Sequence, residues 1–232
     1  HAKVVGDLFL SLLEKDLIYP ATAEYAYCAN DRRFLPDRYV DGTCPHCGFE
    51  RARGDQCDNC GRTLDPQDLL NWRCHICGNP PEMRESEHFF LRLSALQERL
   101  HDWAKSVGEG VWRPNVYGFT MNWLTEGLRD RAITRDVEWG VPLPIPGYDT
   151  KRIYVWFEAC IGYLSAALEW AESRGNNDEW LPFWKDTSTK AYYFLGKDNI
   201  PFHTVIWPAM LMGYGESGAS LGAGGLNLPT NV

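Results

Sequence analysis

Eight cysteines carry the first chemical signal in the sequence, and six of them stand in Cys-x-x-Cys pairs. Such a pair lets two thiolates converge on one ion from a single tight turn, and the residue that follows takes a left-handed backbone that glycine tolerates. The pattern occurs three times, as Cys44, Cys47, Gly48; as Cys57, Cys60, Gly61; and as Cys74, Cys77, Gly78. Two such knuckles complete a tetrahedral site with Zn–S bonds of about 2.3 Å, so Cys44, Cys47, Cys57 and Cys60 are predicted to hold one zinc. The third knuckle needs a partner, and the only unassigned cysteine nearby is Cys28, in the window Cys28-Ala29-Asn30-Asp31. There an aspartate stands where a second cysteine would be. A carboxylate can ligate zinc, although thiolate is the softer ligand. A second site from Cys28, Asp31, Cys74 and Cys77 follows, with His46 and His75 as competing fourth ligands inside knuckles of their own. Four protein ligands close each site to water, which makes the role of the metal structural. Structural zinc supplies about 10–16 kcal/mol of binding free energy, enough to fix a segment too polar to build its own core.

The crowding of seven cysteines into residues 28 to 77 argues against a secreted disulfide framework and for a reducing, cytoplasmic compartment. A formal charge of -8 argues against a chain built mainly to neutralise phosphates. Around the cysteines the charges balance: Arg32, Arg33, Arg38, Arg51 and Arg53 are offset by Asp31, Asp37, Asp41, Glu50 and Asp55. The 232 residues are 44% hydrophobic and include 10 Trp, 11 Tyr and 10 Phe, which suits a folded chain, long enough for two domains.

The elements that must position these groups show in the hydrophobic spacing. Val5, Leu8, Phe9, Leu12 and Leu13 form one stripe and predict a helix over 2–16. Short segments punctuated by Gly, Pro and Cys follow over about 25–84, the expected zinc-knuckle module. Leu93, Leu96, Leu100 and Trp103 predict a helix over 92–106, and Phe119, Trp123, Leu124 and Leu128 one over 115–130. The prolines of VPLPIPGYD mark a connection and an expected domain boundary, dividing 1–148 from 149–232. Beyond it, RIYVWF reads as a strand followed by the helix IGYLSAALEWAES, and KAYYFLG as a strand followed by IPFHTVIWPAMLMGYG. Two strand-then-helix units predict a parallel α/β architecture, in which ligands sit at the carboxyl ends of the strands. The first residue is not Met, and charges at Asp7, Glu14, Lys15 and Asp16 interrupt the first apolar stretch, so no signal peptide or membrane span is expected. The last stretch, GASLGAGGLNLPTNV, reads as a loop, and the whole as a piece of a longer protein.

FLPDRYV, GTCPHCG, ARGDQCDNCG, ITRDVEWGVPLP, YVWFEACIGYLSA and FLGKDNIPFHTVIWPAML, in this order, closely resemble the methionyl-tRNA synthetase family of the archaeal and eukaryotic type. The resemblance covers nearly the whole chain. It implies the second half of a class I synthetase Rossmann catalytic domain plus a zinc-knuckle connective insertion, with inner and outer knuckles each sharing one zinc. It implies a methionine–tRNA ligase that uses ATP and Mg²⁺ to form methionyl-adenylate and then esterifies tRNA(Met), with no membrane partner. Carried over by motif, Trp156, Ala159, Ile161 and Tyr163, with Phe202, His203 and Trp207, would line the methionine pocket. Gly196, Lys197 and Asp198 would meet the adenosine and ribose of ATP, and Arg135 with Asp136 would lie near its phosphates; Lys197, Asp198 and Arg135 are the expected catalytic groups. Cys160 stands where the family has proline, which places an oxidisable thiol at the pocket rim. The His-x-Gly-His and Lys-Met-Ser-Lys-Ser signatures of the family do not occur in the sequence, so the 232 residues alone are expected to be inactive in ATP–pyrophosphate exchange. Two rival readings are a synthetase for Ile, Val or Leu, which would need a much larger editing insertion, and a zinc-ribbon binding module without catalysis.

Overall fold

The computed structural model describes residues 1–55, 57–60, 62, 64–215 and 225–232. In order these form α1 (Ala2–Glu14), β1 (Ile18–Cys28), β2 (Arg33–Phe34), β3 (Val40–Thr43), β4 (Ala52–Arg53), β5 (Leu70–Cys74), β6 (Glu82–Leu91), α2 (Gln97–Gly108), α3 (Pro114–Glu126), β7 (Arg131–Ala132), β8 (Thr134–Arg135), β9 (Arg152–Ile153), α4 (Val155–Glu158), α5 (Ile161–Ser173), α6 (Leu181–Trp184) and α7 (Trp207–Tyr214). The chain divides into two compact units, each with its own core. One comprises His1–Tyr19, Phe89–Thr134 and Trp139–Val232; the other comprises Pro20–His88 and Arg135–Glu138.

In the larger unit Val5, Leu8, Phe9 and Leu12 of α1 are fully buried, as their spacing requires. The helix packs on α5 and α7. At Gly213 of α7 a Cβ would lie 2.6 Å from both Leu12 Cδ2 and Leu17 Cδ1, so a larger residue there would force these leucine side chains to shift. The α2 helix packs on α3. The face that α3 buries is Val116, Thr120 and Leu124, at i, i+4 and i+8; Phe119, expected on that stripe, is 46% exposed. The helix stops at Glu126 because Gly127 takes φ 94°. The end of β6 pairs antiparallel with β7, Phe90 opposite Ala132 and Leu91 opposite Arg131.

In the smaller unit the order β4-β3-β5 makes an antiparallel sheet, and β1 pairs antiparallel with β2, Tyr27 opposite Phe34 and Cys28 opposite Arg33. Among the described residues its core contains ten buried residues, and Cys28, Cys44, Cys57 and Cys74 are among them.

Several elements differ from the sequence expectation. The helix expected over 92–106 begins as a 3₁₀ turn, Leu93–Leu96, before α2. The two long strands, β1 with 11 residues and β6 with 10, overlap the ends of the segment expected to hold only short knuckle pieces and extend into stretches with no expected element. Conversely, of RIYVWF only Arg152–Ile153 is strand, and Val155–Glu158 coils into α4. Of KAYYFLG, Tyr192 alone bridges, in parallel, to Asn231. A strand exists only where a neighbour supplies hydrogen bonds, and among the described residues this segment has only the 230–231 stretch beside it. The division into units does not run at residue 148, because α1, α2 and α3 share the core of the residues that follow. Residues 218–224 of the glycine-rich stretch lie outside the described residues, as does Gly61. No helix among the described residues is long and apolar enough to cross a membrane.

Candidate functional site

The knuckles fold alike for a local reason. Cys44 N–H donates to the Phe49 carbonyl at 2.9 Å, Cys57 N–H to Arg62 at 2.9 Å and Cys74 N–H to Asn79 at 2.8 Å, so each chain turns back over five residues. Gly48 and Gly78 take φ 73° and 77° just after the second cysteine, the left-handed conformation expected of them. Arg32 takes φ 53° at the equivalent place after Asp31. Cys28 to Arg32 is therefore a fourth turn of the same kind, with Asp31 in the second-ligand position.

These turns bring eight groups together as two sets of four. Cys44, Cys47, Cys57 and Cys60 form one, and Cys28, Asp31, Cys74 and Cys77 the other; within each, the potential ligand atoms all lie within 4.8 Å of one another. The Cys47 and Cys57 sulfurs are 3.6 Å apart and those of Cys44 and Cys60 3.9 Å. A tetrahedron with Zn–S of about 2.3 Å has edges of about 3.8 Å. In the second set Asp31 Oδ2 lies 3.2 Å from the sulfurs of both Cys28 and Cys74, and the Cys28 and Cys77 sulfurs are 3.4 Å apart. The Cys74 thiol, then that of Cys28, holds the Asp31 carboxyl below its usual range by donating to it. Burial pushes the Cys74 thiol up to about 12 and that of Cys57 up to about 11. The two histidines turn elsewhere: His75 Nδ1 donates to Asp41 Oδ2 at 2.7 Å, and His46 Nδ1 accepts from Arg62 at 3.1 Å.

In the larger unit a cavity of about 260 Å³ opens between Trp156, Ala159, Cys160, Tyr163, Phe194, Leu195, Asn199, Phe202 and His203. Its residues follow β9 and the Tyr192 bridge, the strand ends from which ligand-contacting residues are expected. The Trp156 and Phe202 rings stack at 4.3 Å with their planes 10° apart. His203 is 5% exposed. Its Nδ1–H donates to the Asn199 carbonyl at 2.9 Å, which leaves Nε2 to accept the Tyr163 hydroxyl at 2.9 Å. Burial lowers the pKa of the imidazole, against the opposing pull of the Asn199 carbonyl, and keeps the ring neutral near pH 7. The cavity is therefore aromatic, with an uncharged polar edge.

Five of the seven residues expected around a methionine side chain line this space: Trp156, Ala159, Tyr163, Phe202 and His203. Ile161 and Trp207 do not. Both are fully buried in the core, and the Trp207 indole N–H donates to the Tyr193 hydroxyl at 3.2 Å. Phe194, Leu195 and Asn199 line it too and are not among the expected residues; Phe194 and Leu195 lie within KAYYFLG, which the sequence reads as strand. Cys160 does lie at the cavity, but it is 5% exposed and burial pushes its thiol up to about 12, so it is held as an unreactive thiol. Lys197 and Asp198 sit on an exposed 3₁₀ turn that begins after Gly196. Arg135 and Asp136 belong to the smaller unit. There Arg135 donates to Asp37 at 2.9 Å, and Asp136 accepts from the Ser86 hydroxyl at 2.6 Å and lies 3.2 Å from His88 Nε2. The crevice they line measures about 10 Å³, room for one water.

Residues 1–232 match the family model described as tRNA synthetases class I (M). Over its full length the chain is 60% identical to the methionine–tRNA ligase of Dehalococcoides mccartyi strain 195, 53% to that of Thermomicrobium roseum and 51% to that of Thermoplasma acidophilum. It covers 40%, 38% and 40% of those proteins, about two fifths of the length of the curated relatives it matches. The structure is similar to Mycobacterium tuberculosis methionyl-tRNA synthetase bound by methionyl-adenylate, with a TM-score of 0.60 at 22% identity, over all of this chain and 37% of that one. At that identity the likeness concerns the fold.

Proposed function

The chain belongs to the tRNA synthetases class I (M) family, and from that membership we propose that it is part of a methionine–tRNA ligase. In this reading the methionine carboxylate attacks the α-phosphorus of ATP, pyrophosphate leaves, and a ribose hydroxyl of the tRNA(Met) end then takes the methionyl group from the adenylate. The segment around the cavity acts as the second half of the Rossmann catalytic domain, and the knuckle segment as its connective insertion, in a cytoplasmic enzyme.

The observation that carries the reading is the cavity itself. A thioether gains from polarizable contact with aromatic rings, about 0.3–1.5 kcal/mol each, and the stacked Trp156–Phe202 pair and Tyr163 provide such walls. Because His203 is neutral and accepts a hydrogen bond from the Tyr163 hydroxyl, no bare charge faces an apolar side chain. The exposed turn of Gly196, Lys197 and Asp198 adjoins Leu195 and Asn199 in the chain, so it suits contact with the adenosine and ribose of ATP beside the bound amino acid, with Asp198 accepting from ribose hydroxyls. Mg²⁺ would accompany ATP as a counter-charge. Arg135 is retained as a group near the phosphates only on the resemblance of its motif.

Both ligand sets fit zinc: four sulfurs at tetrahedral spacing in one, three sulfurs and a carboxylate in the other. Zinc there would hold the turns in place. The cavity reading is tested in the complete enzyme by Trp156→Ala and His203→Ala. Losing a wall or the polar edge of a small pocket is worth roughly 1–3 kcal/mol, so the methionine KM should rise about tenfold to a hundredfold with the ATP KM little changed. Equal rises for both substrates would mean that these side chains only support the fold.

A further inference from the structure

Phe202 and His203 are presented to the cavity by an irregular turn. Over Phe202–Ile206 the helix widens, and the Trp207 N–H donates to the Phe202 carbonyl, five residues back instead of four. Pro208 follows, with no N–H to give and a ring that crowds the preceding turn, so the regular ladder cannot run through this point. Widened turns of this kind recur at functional sites. Each added residue rotates the side chains around the axis by roughly 100°, so the register of this turn decides whether residues 202 and 203 face the cavity.

Two hydroxyls lie against the turn. Thr204 and Thr120 are both fully buried, the latter within the otherwise apolar face of α3 formed by Val116 and Leu124. The Thr204 hydroxyl lies 2.9 Å from the Ile200 carbonyl and the Thr120 hydroxyl 2.9 Å from the Val116 carbonyl, each four residues back in the sequence. The two hydroxyl oxygens are 2.8 Å apart, so one of their two protons lies between them and the other goes to a carbonyl. Valine has nearly the same volume as threonine, packs against apolar neighbours and has no hydroxyl to desolvate. What the Thr–Thr pair adds is direction. It ties one position of the turn to one position of α3, while the neighbouring His203 ring ties the same turn to the Asn199 carbonyl.

We propose that Thr120 and Thr204 are positioning residues for the amino-acid cavity, their buried hydroxyl pair fixing the widened turn in the register that stacks Phe202 on Trp156 and sets His203 against Tyr163. The substrate side of this inference rests on the methionine reading above; the geometric side does not. The test compares Thr120→Val, which keeps shape and loses the hydroxyl, with Thr120→Ser, which keeps the hydroxyl, in the complete enzyme. The readouts are the methionine and ATP KM values and the imidazole ¹⁵N resonances of His203, which report the Nδ1–H form and its two hydrogen bonds. Thr120→Val should raise the methionine KM about five- to tenfold, leave the ATP KM unchanged and shift the His203 resonances. Thr120→Ser should restore both. A wild-type methionine KM with unchanged His203 resonances in Thr120→Val would overturn the proposal. So would a loss that Thr120→Ser shares. Should Thr120→Val not fold, Thr204→Val against Thr204→Ser makes the same comparison from the other side of the pair. Should Trp156→Ala leave methionine kinetics untouched, the cavity reading fails alone, and the His203 resonances still decide the register claim.

Discussion

His203 joins the chemistry of the cavity to its protonation state. An imidazole titrates near 6.5 when free, and burial lowers this one. The sign follows from the proton count: between the two pKa values the unfolded chain binds the proton and the folded one does not. Stability from this group is therefore present in full above about 6.5 and is lost as pH falls through the lower folded value. The ring protons of His203 should accordingly titrate below 6.5 in the folded protein, and a midpoint at or above 6.5 would contradict the buried neutral ring. The candidate residues of this edge come from the resemblance of motifs, not from residue spacing. Trp156, Ala159, Tyr163, Phe202 and His203 line the cavity, whereas Ile161 and Trp207, adjacent to them in the same motifs, are buried in the core. Which face of a helix a side chain takes depends on what packs there, and in α5 the buried face is Ile161, Leu164 and Ser165.

At the scale of elements, the knuckles were legible because their geometry is local: two thiols, a tight turn and a glycine lie within five residues. The strands were not. β6 carries charged residues through its first half and β1 contains Pro20 and Glu24, and RIYVWF looks more like a strand than either, yet pairing partners distant in sequence decide the outcome. The left-handed Arg32 yields a prediction at this scale. A non-glycine residue in that conformation costs about 1–2 kcal/mol, and glycine forfeits about 0.4–1 kcal/mol through the unfolded chain. Arg32→Gly should therefore stabilise the knuckle unit by up to about 1 kcal/mol in denaturant unfolding; a clear loss would mean that the arginine side chain does more than occupy the turn. Asp31 gives another. Hard carboxylate oxygen binds Zn²⁺ less tightly than soft thiolate, so two ions should leave in two phases on chelator titration. Asp31→Ala should abolish the weaker phase only, and loss of neither ion would move the fourth ligand to another group.

For the whole molecule, the two cores lead to different expectations. The larger unit buries a full set of aliphatic and aromatic side chains, while the smaller has, among the described residues, ten buried core residues, four of them cysteines. Metal binding worth about 10–16 kcal/mol matches or exceeds the 5–15 kcal/mol by which whole domains are stable. Removing the metal should thus open β3, β4 and β5 to hydrogen exchange while α1, α5 and α7 keep their protection; uniform loss of protection would mean that the units do not stand on separate cores. This division could not be read from the prolines at 141–149, since the contacts that bring α1 onto α5 and α7 span most of the sequence. The central claim, that the aromatic cavity selects methionine for activation, is tested most directly by amino-acid-dependent ATP–pyrophosphate exchange in the complete enzyme that carries this chain. Methionine, Leu, Ile and Val should be compared at equal concentration, with Trp156→Ala alongside. The account predicts exchange with methionine far above the other three, with a methionine KM raised at least tenfold in the variant; comparable or faster exchange with Leu, Ile or Val would contradict it.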